Sequence, residues 1–242
     1  MNQSGSSESD KSRLRALFRR RVLRFSRIEL LCAIVLFIVV APFIDDSSHR
    51  RVIEAVFLSI TLRSSVFAVG PRRGTVIVTV LLIVPALGIQ WAHHLAPDLI
   101  PRHLPLTAGM IFIGYVIANL LRATLRTPRV DLEVLCGAIA AYLLLGILWM
   151  LAYSLVGYVS PDAFVFNGPN AADRKMEGFD AFYFSFVTLS TVGYGDVTPV
   201  SNVAKMLAIT EAVTGMFYVA ILIARLVSVY SATSAAETDI DE

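Results

Sequence analysis

Residues 188–196 read Thr188-Leu-Ser-Thr-Val-Gly-Tyr-Gly-Asp196. Gly193 and Gly195 alternate with Val192 and Tyr194, and glycine adopts backbone angles that a β-carbon forbids. Consecutive carbonyls can then point the same way, toward a common axis. A ring of such strands stacks cages of oxygens that can replace the hydration shell of a K⁺ ion. Thr191 adds its hydroxyl at the inner end, while Val192 and Tyr194 are expected to point away from the axis and pack outward. One chain supplies one strand, so a closed ring needs several chains. The plain alternative is a tight glycine turn in an outer loop.

Immediately upstream, Phe179–Leu189 is an apolar run of 11 residues, too short to cross a bilayer, which takes about 20. It reads as a re-entrant segment, because non-helical backbone at membrane depth is tolerated only where it is buried in protein or lines a water-filled path. Asp180 is placed to cap a helix over Ala181–Leu189, and the C-terminus of that helix would aim partial negative charge at a central cavity. Farther out lie longer apolar blocks at Ile28–Ile44, Val52–Val69, Thr75–Ala96 (with Pro85 inside), Leu104–Leu121, Leu132–Val159 and Val203–Val229. The 242 residues are 56% hydrophobic and 17% charged, against roughly 45–50% and about 25% in soluble domains. Mean hydropathy is +0.67. A disordered, collagenous or disulfide-stapled chain is excluded, and a soluble globular one is disfavoured. The expected fold is an all-α membrane protein of six transmembrane helices. The last two, with the re-entrant helix and its glycine strand, would form a pore shared by several chains.

Charge orients this layout. With both termini on one side, fourteen basic residues fall on that side and six on the other, Arg63 lying within the second block. The positive-inside rule then puts both termini in the cytoplasm of a multi-pass cell-membrane protein, with 160–202 external. Lys11–Arg27 holds eight basic side chains with Leu14, Leu17, Phe18, Val22 and Phe25 at helical spacing between them. This is either an amphipathic helix on anionic lipid or a plain positive-inside anchor. The basic stretch is too long for a signal peptide, and Pro42 follows the best cleavage position, so the first block reads as a retained anchor. Cys32 and Cys136 sit in apolar blocks and read as small buried hydrophobes.

Thr191-Val192-Gly193-Tyr194-Gly195-Asp196 resembles the selectivity filter of potassium channels, and the resemblance extends from about Leu132 to Tyr230. It implies a homotetramer in which Thr191, Val192, Gly193 and Tyr194 hold K⁺, the permeant ion, with no other cofactor. Gly195 completes the filter, and Asp196, Tyr183, Val187 and Ser190 support it. Relatives bond an aromatic donor of the pore helix to the aspartate after the filter, which makes Tyr183 the partner of Asp196. Val187 stands where some bacterial relatives carry a glutamate. By the same resemblance Gly215 matches a gating-hinge glycine. Val219 and Ile223 match the cavity wall, and Ala224 and Ser228 the inner narrowing. Ala204, Ala208, Ala212, Ala220, Ala224 and Ser228 also form a small-residue stripe suited to helix packing. Glu211, an acid within a membrane helix, is expected to bond Ser185 or Thr188, or to sit protonated.

These features divide the chain into a cytoplasmic tail with its basic segment (1–27), a four-helix membrane domain (28–126), a pore domain (127–230) and an acidic tail (231–242). The fourth block lacks charge, and Arg122, Arg126 and Arg129 lie at its cytoplasmic end as anchors, so steep voltage sensing is not expected. Glu54 and Arg63 are the intramembrane charges of the first four helices and count with Glu211 as candidate modulatory charges. His93, His94, Asp98 and His103 cluster near the outer end of the third block. The expected function is passive, potassium-selective conduction. The alternatives are a subunit of a potassium uptake transporter and a weakly voltage-dependent channel with a non-standard sensor. No motif points to an enzyme, to nucleic acid or to a small-molecule substrate.

Overall fold

The computed structural model describes residues 27–43, 73–95, 101–126, 132–168 and 174–238. Residues 27–43 form helix α1. Helix α2 spans Arg73–Leu95 with Pro85 inside it, α3 spans His103–Arg126, and α4 spans Leu132–Val159. A single 3₁₀ turn, Pro161–Ala163, leads into strand β1 at Phe164–Phe166. The short helix α5 covers Phe179–Leu189, β2 covers Val197–Pro199, and α6 runs Asn202–Thr238. Among the described residues, three helices are long and apolar enough to cross a membrane: His103–Arg126, Leu132–Val159 and Asn202–Ser228. The second apolar block, with Glu54 and Arg63, lies outside the described residues, as do most of the basic N-terminal segment and Asp98.

One core joins α1, α3 and α4. Leu30 and Ile34 of α1, Phe112, Val116 and Leu120 of α3, and Ala140, Ala141 and Leu144 of α4 are buried together. Small alanines on α4 let the helices approach closely, and the larger side chains fill the space between them. Burying a leucine- or phenylalanine-sized side chain contributes about 1.5–3 kcal/mol. Leu30 and Ile34 lie one turn apart, so Cys32 between them falls on the opposite face. It is exposed rather than buried, while Cys136 is intermediate; both are free thiols.

Two helices run farther than the apolar blocks. α3 continues through Arg126, because Thr124 extends its buried face and a helix-breaking residue, Pro128, comes only beyond it. Arg122 and Arg126 therefore sit in its final turns. α6 passes Val229 and continues into the region expected to be a tail, where no glycine or proline stops it. At its start, the Ala204 amide donates to the Ser201 side chain at 3.1 Å, a capping bond that satisfies one orphan donor.

Candidate functional site: a glycine strand held by three helices

α5 packs between α4 and α6, and its first turn is anchored from outside. Asp180 was expected to cap it, but Gly178 occupies the cap position with φ 59°. Asp180 instead accepts two bonds from Arg174, one from Nε at 3.2 Å and one from Nη2. A planar guanidinium offers a carboxylate two parallel charge-assisted bonds, which a lone backbone N–H cannot match. The same guanidinium lies 5.0 Å from the Phe166 ring centroid. In the first turn Asp180 still complements the positive end of the helix dipole.

At the other end of α5 the Ser190 hydroxyl donates to the Phe186 carbonyl at 2.7 Å, and the chain leaves the helix. The backbone then alternates: Thr191, Gly193 and Gly195 have φ of 59°, 57° and 79°. Glycine takes these angles freely, whereas Thr191 takes one that costs about 1–3 kcal/mol and persists only where its surroundings impose it. What imposes it is the Val187 carbonyl, which accepts from the Val192 amide at 2.9 Å and the Gly193 amide at 3.3 Å. Val187 thus supports the strand through its backbone. No side chain is needed for that.

The outer end is fastened by residues that sequence reading missed. The Asn167 amide nitrogen donates to the Asp196 carbonyl at 2.7 Å, and its Nδ2 to the Gly195 carbonyl at 3.1 Å. β1 and β2 pair antiparallel as Phe164↔Pro199, Val165↔Thr198 and Phe166↔Val197. This ribbon ties the residues after Asp196 to the end of α4. The signal for it was the aromatic and β-branched content of Phe164-Val165-Phe166 and Val197-Thr198, too short to stand out.

Aromatic packing holds α5 laterally. Phe184 makes edge-to-face contacts with Tyr153 at 4.8 Å and Phe164 at 5.6 Å between centroids. Phe186 lies where any β-carbon on Gly146 would come within 2.7 Å of its ring. Tyr183 stacks nearly parallel to Tyr194, 6.4 Å away, and is in electrostatic contact with Asp196. Val192 and Tyr194, expected to pack outward, are 53% and 72% exposed in the single chain. Among the described residues, Tyr183 of α5 supplies the stacking face for Tyr194.

On α6, Gly215 is buried against the end of α5. A β-carbon there would collide with the Leu189 carbonyl oxygen and lie 3.0 Å from Leu189 Cδ1. Val219, Ile223, Ala224 and Ser228 are exposed. The small-residue stripe is buried at Ala204, half-buried at Ala208 and Ala212, and open from Ala220 onward. Glu211 is fully buried. Its Oε1 lies 2.6 Å from the Ser185 hydroxyl, and its Oε2 accepts from the Tyr153 hydroxyl at 2.5 Å. Ser185, not Thr188, is therefore its partner on α5. Nearer the inner end, the Tyr218 hydroxyl donates to the Ala138 carbonyl of α4 at 2.6 Å.

A family model described as "Ion channel" matches residues 143–232, which contain α5, the glycine strand and most of α6. Protein LctB of Bacillus caldotenax is 35% identical over 126 residues, covering 48% of this chain and 92% of that protein. The hyperpolarization-activated voltage-gated potassium channel of Methanocaldococcus jannaschii is 32% identical over 117 residues, 48% of this chain and 51% of its own length. Two pore potassium channel c of Oryza sativa subsp. japonica is 38% identical over 88 residues, 36% of this chain and 19% of that protein. The chain belongs to the potassium channel family. This is a family of ion channels and not of enzymes, and with three spanning-length helices among its described residues the chain is a membrane protein. It spans about a fifth of the plant relatives it matches. No solved structure matches it significantly.

Proposed function

We propose that the chain forms a potassium-selective pore as a homotetramer, with residues 191–195 as the filter. The observation that carries this reading is the alternating left-handed backbone at Thr191, Gly193 and Gly195, directly after a helix too short to span a bilayer. Four such strands around one axis supply the oxygen cages that substitute for water around K⁺. The backbone carbonyls of Thr191, Val192, Gly193 and Tyr194 are the K⁺ ligands, with the Thr191 hydroxyl below them. The exposure of Val192 and Tyr194 in one chain fits side chains that complete their packing against a neighbouring copy. Asp196 closes the outer mouth, bonded by Tyr183.

The exposed side chains Val219, Ile223, Ala224 and Ser228 line the inner cavity and its narrowing. The six-span layout, with both termini in the cytoplasm of a cell-membrane protein, follows from the charge asymmetry of the loops. The basic N-terminal segment rests on anionic lipid. Steep voltage gating is not part of this reading, because the arginines of α3 lie only in its final turns, whereas a sensor carries about 3–4 gating charges per subunit within the field.

Purified protein in a planar bilayer between unequal K⁺ and Na⁺ solutions tests it. The expected result is a reversal potential near the K⁺ equilibrium value, with conductance that changes little on stepping voltage. A reversal near zero with Na⁺ passing equally would overturn the assignment of 191–195.

A further inference from the structure

Behind the glycine strand, five oxygens from three helices meet in one buried cluster. The Ser185 hydroxyl of α5 lies 2.8 Å from the Gly146 carbonyl of α4 and 2.6 Å from Glu211 Oε1 of α6. The Tyr153 hydroxyl of α4 lies 2.5 Å from Glu211 Oε2. Tyr153, Ser185 and Glu211 are all buried.

Each of the three contacts needs its own proton. A carbonyl oxygen has none to give, a serine and a tyrosine hydroxyl supply one each, and an ionised carboxylate supplies none. With Glu211 ionised there are two protons for three contacts. Ser185 must then choose, and one close pair becomes two acceptors facing each other. With Glu211 protonated the count closes: Glu211 Oε1 donates to Ser185, Ser185 donates to Gly146, and Tyr153 donates to Oε2. The surroundings agree, because a buried anion is expensive unless a cation pairs with it. The groups that face Glu211 are neutral at ordinary pH: Tyr153 and, in electrostatic range, Tyr142 from α4, and the Ser185 hydroxyl from α5. No cation faces it among the described residues.

We propose that Glu211 is a positioning residue that works in its protonated form, donating to Ser185 and accepting from Tyr153 so that α5 is pinned to α4 and α6. This rests on reading 191–195 as the filter, since α5 is the helix that carries that strand. Loss of the proton takes the Ser185 hydrogen away from the Gly146 carbonyl and loosens α5 behind the strand. Rising pH therefore weakens sustained conduction, and glutamine, which offers both an N–H donor and a carbonyl acceptor, replaces the working form.

The test uses the full-length channel in lipid with three proteins: wild type, Glu211→Gln and Glu211→Ala. Infrared difference spectra of wild type minus Glu211→Gln at neutral pH should show the carbonyl stretch of a protonated carboxyl group. A carboxylate band in its place overturns the proposal, and this readout does not depend on conduction. In bilayers, Glu211→Gln should carry sustained K⁺ current within about twofold of wild type and stay flat with pH. Wild-type current should fall on the alkaline side, and Glu211→Ala should lose roughly tenfold, because it takes the acceptor from the buried Tyr153 hydroxyl and cuts the link from Ser185 to α6. Glu211→Gln failing as badly as Glu211→Ala would overturn the proposal. The wild-type reversal potential, recorded in the same bilayers, separately decides whether 191–195 conduct K⁺ selectively.

Discussion

Gly215 offers the sharpest test of how the pore is held together. By position it matches a gating hinge, but the structure supplies a steric reason for a glycine there. An added β-carbon collides with the Leu189 carbonyl oxygen and comes to 3.2 Å of the Leu189 carbonyl carbon. The obstacle is backbone, the last residue of the helix that carries the glycine strand, so it cannot swing aside as a side-chain tip would. Overpacking of this kind costs about 1–3 kcal/mol, and alanine returns about 0.5–1 kcal/mol of helix stability relative to glycine. The net expectation for Gly215→Ala is a loss of about 1–2 kcal/mol in pore packing, or a factor of about 5–30 in the populations of intact and loosened states. Thermal unfolding of the detergent-solubilised channel reads the loss, and the K⁺/Na⁺ permeability ratio reads the displacement of α5. Gly114→Ala on α3, where nothing lies within 4 Å of the added carbon, is the control and should be neutral or stabilising. Trimming Leu189 to alanine should not rescue Gly215→Ala, because the side chain is not the obstacle. A Gly215→Ala channel that unfolds at or above the wild-type temperature with unchanged selectivity refutes the steric reading and returns Gly215 to a hinge role.

Other substitutions probe the remaining fastenings. Phe184→Ala removes the ring packed against Tyr153 and Phe164 and should cost about 3–5 kcal/mol, visible as a large drop in thermal midpoint. Asn167→Ala removes the donor to the Gly195 carbonyl. It should cost about 0.5–1.5 kcal/mol and speed the decay of current at constant voltage, with the reversal potential unchanged at early times. Tyr218→Phe deletes the bond from α6 to the Ala138 carbonyl. A loss of about 0.5–1.5 kcal/mol should shift open probability in single-channel records, and an unaltered open probability would mean the bond persists equally in both states.

The chain announced its elements well where they repeat locally. α4 and α5 span the same residues as the apolar blocks read from sequence, because each begins and ends with a change in hydrophobic pattern that neighbouring residues carry. The glycines at 193 and 195 were legible for the same reason: their left-handed angles are a local backbone demand. Asp180 was misread as a cap because its true partner, Arg174, sits in a loop whose course no periodicity records. Cys32 was misread because the hydrophobic blocks do not say which face of α1 is buried.

The sequence by itself determined that the protein is a membrane helical chain with one glycine-alternating strand after a short apolar helix, since composition, run length and backbone freedom are properties of short stretches. Only the tertiary structure decided what holds that strand. Glu211 meets Ser185 and Tyr153 across gaps of 26 and 58 residues, Asn167 reaches Gly195 across 28, and Gly215 faces Leu189 across two helices. Which buried acid finds which hydroxyl, and which glycine is crowded by a carbonyl, depends on how helices pack. Packing is a contest among distant side chains that no window of sequence contains.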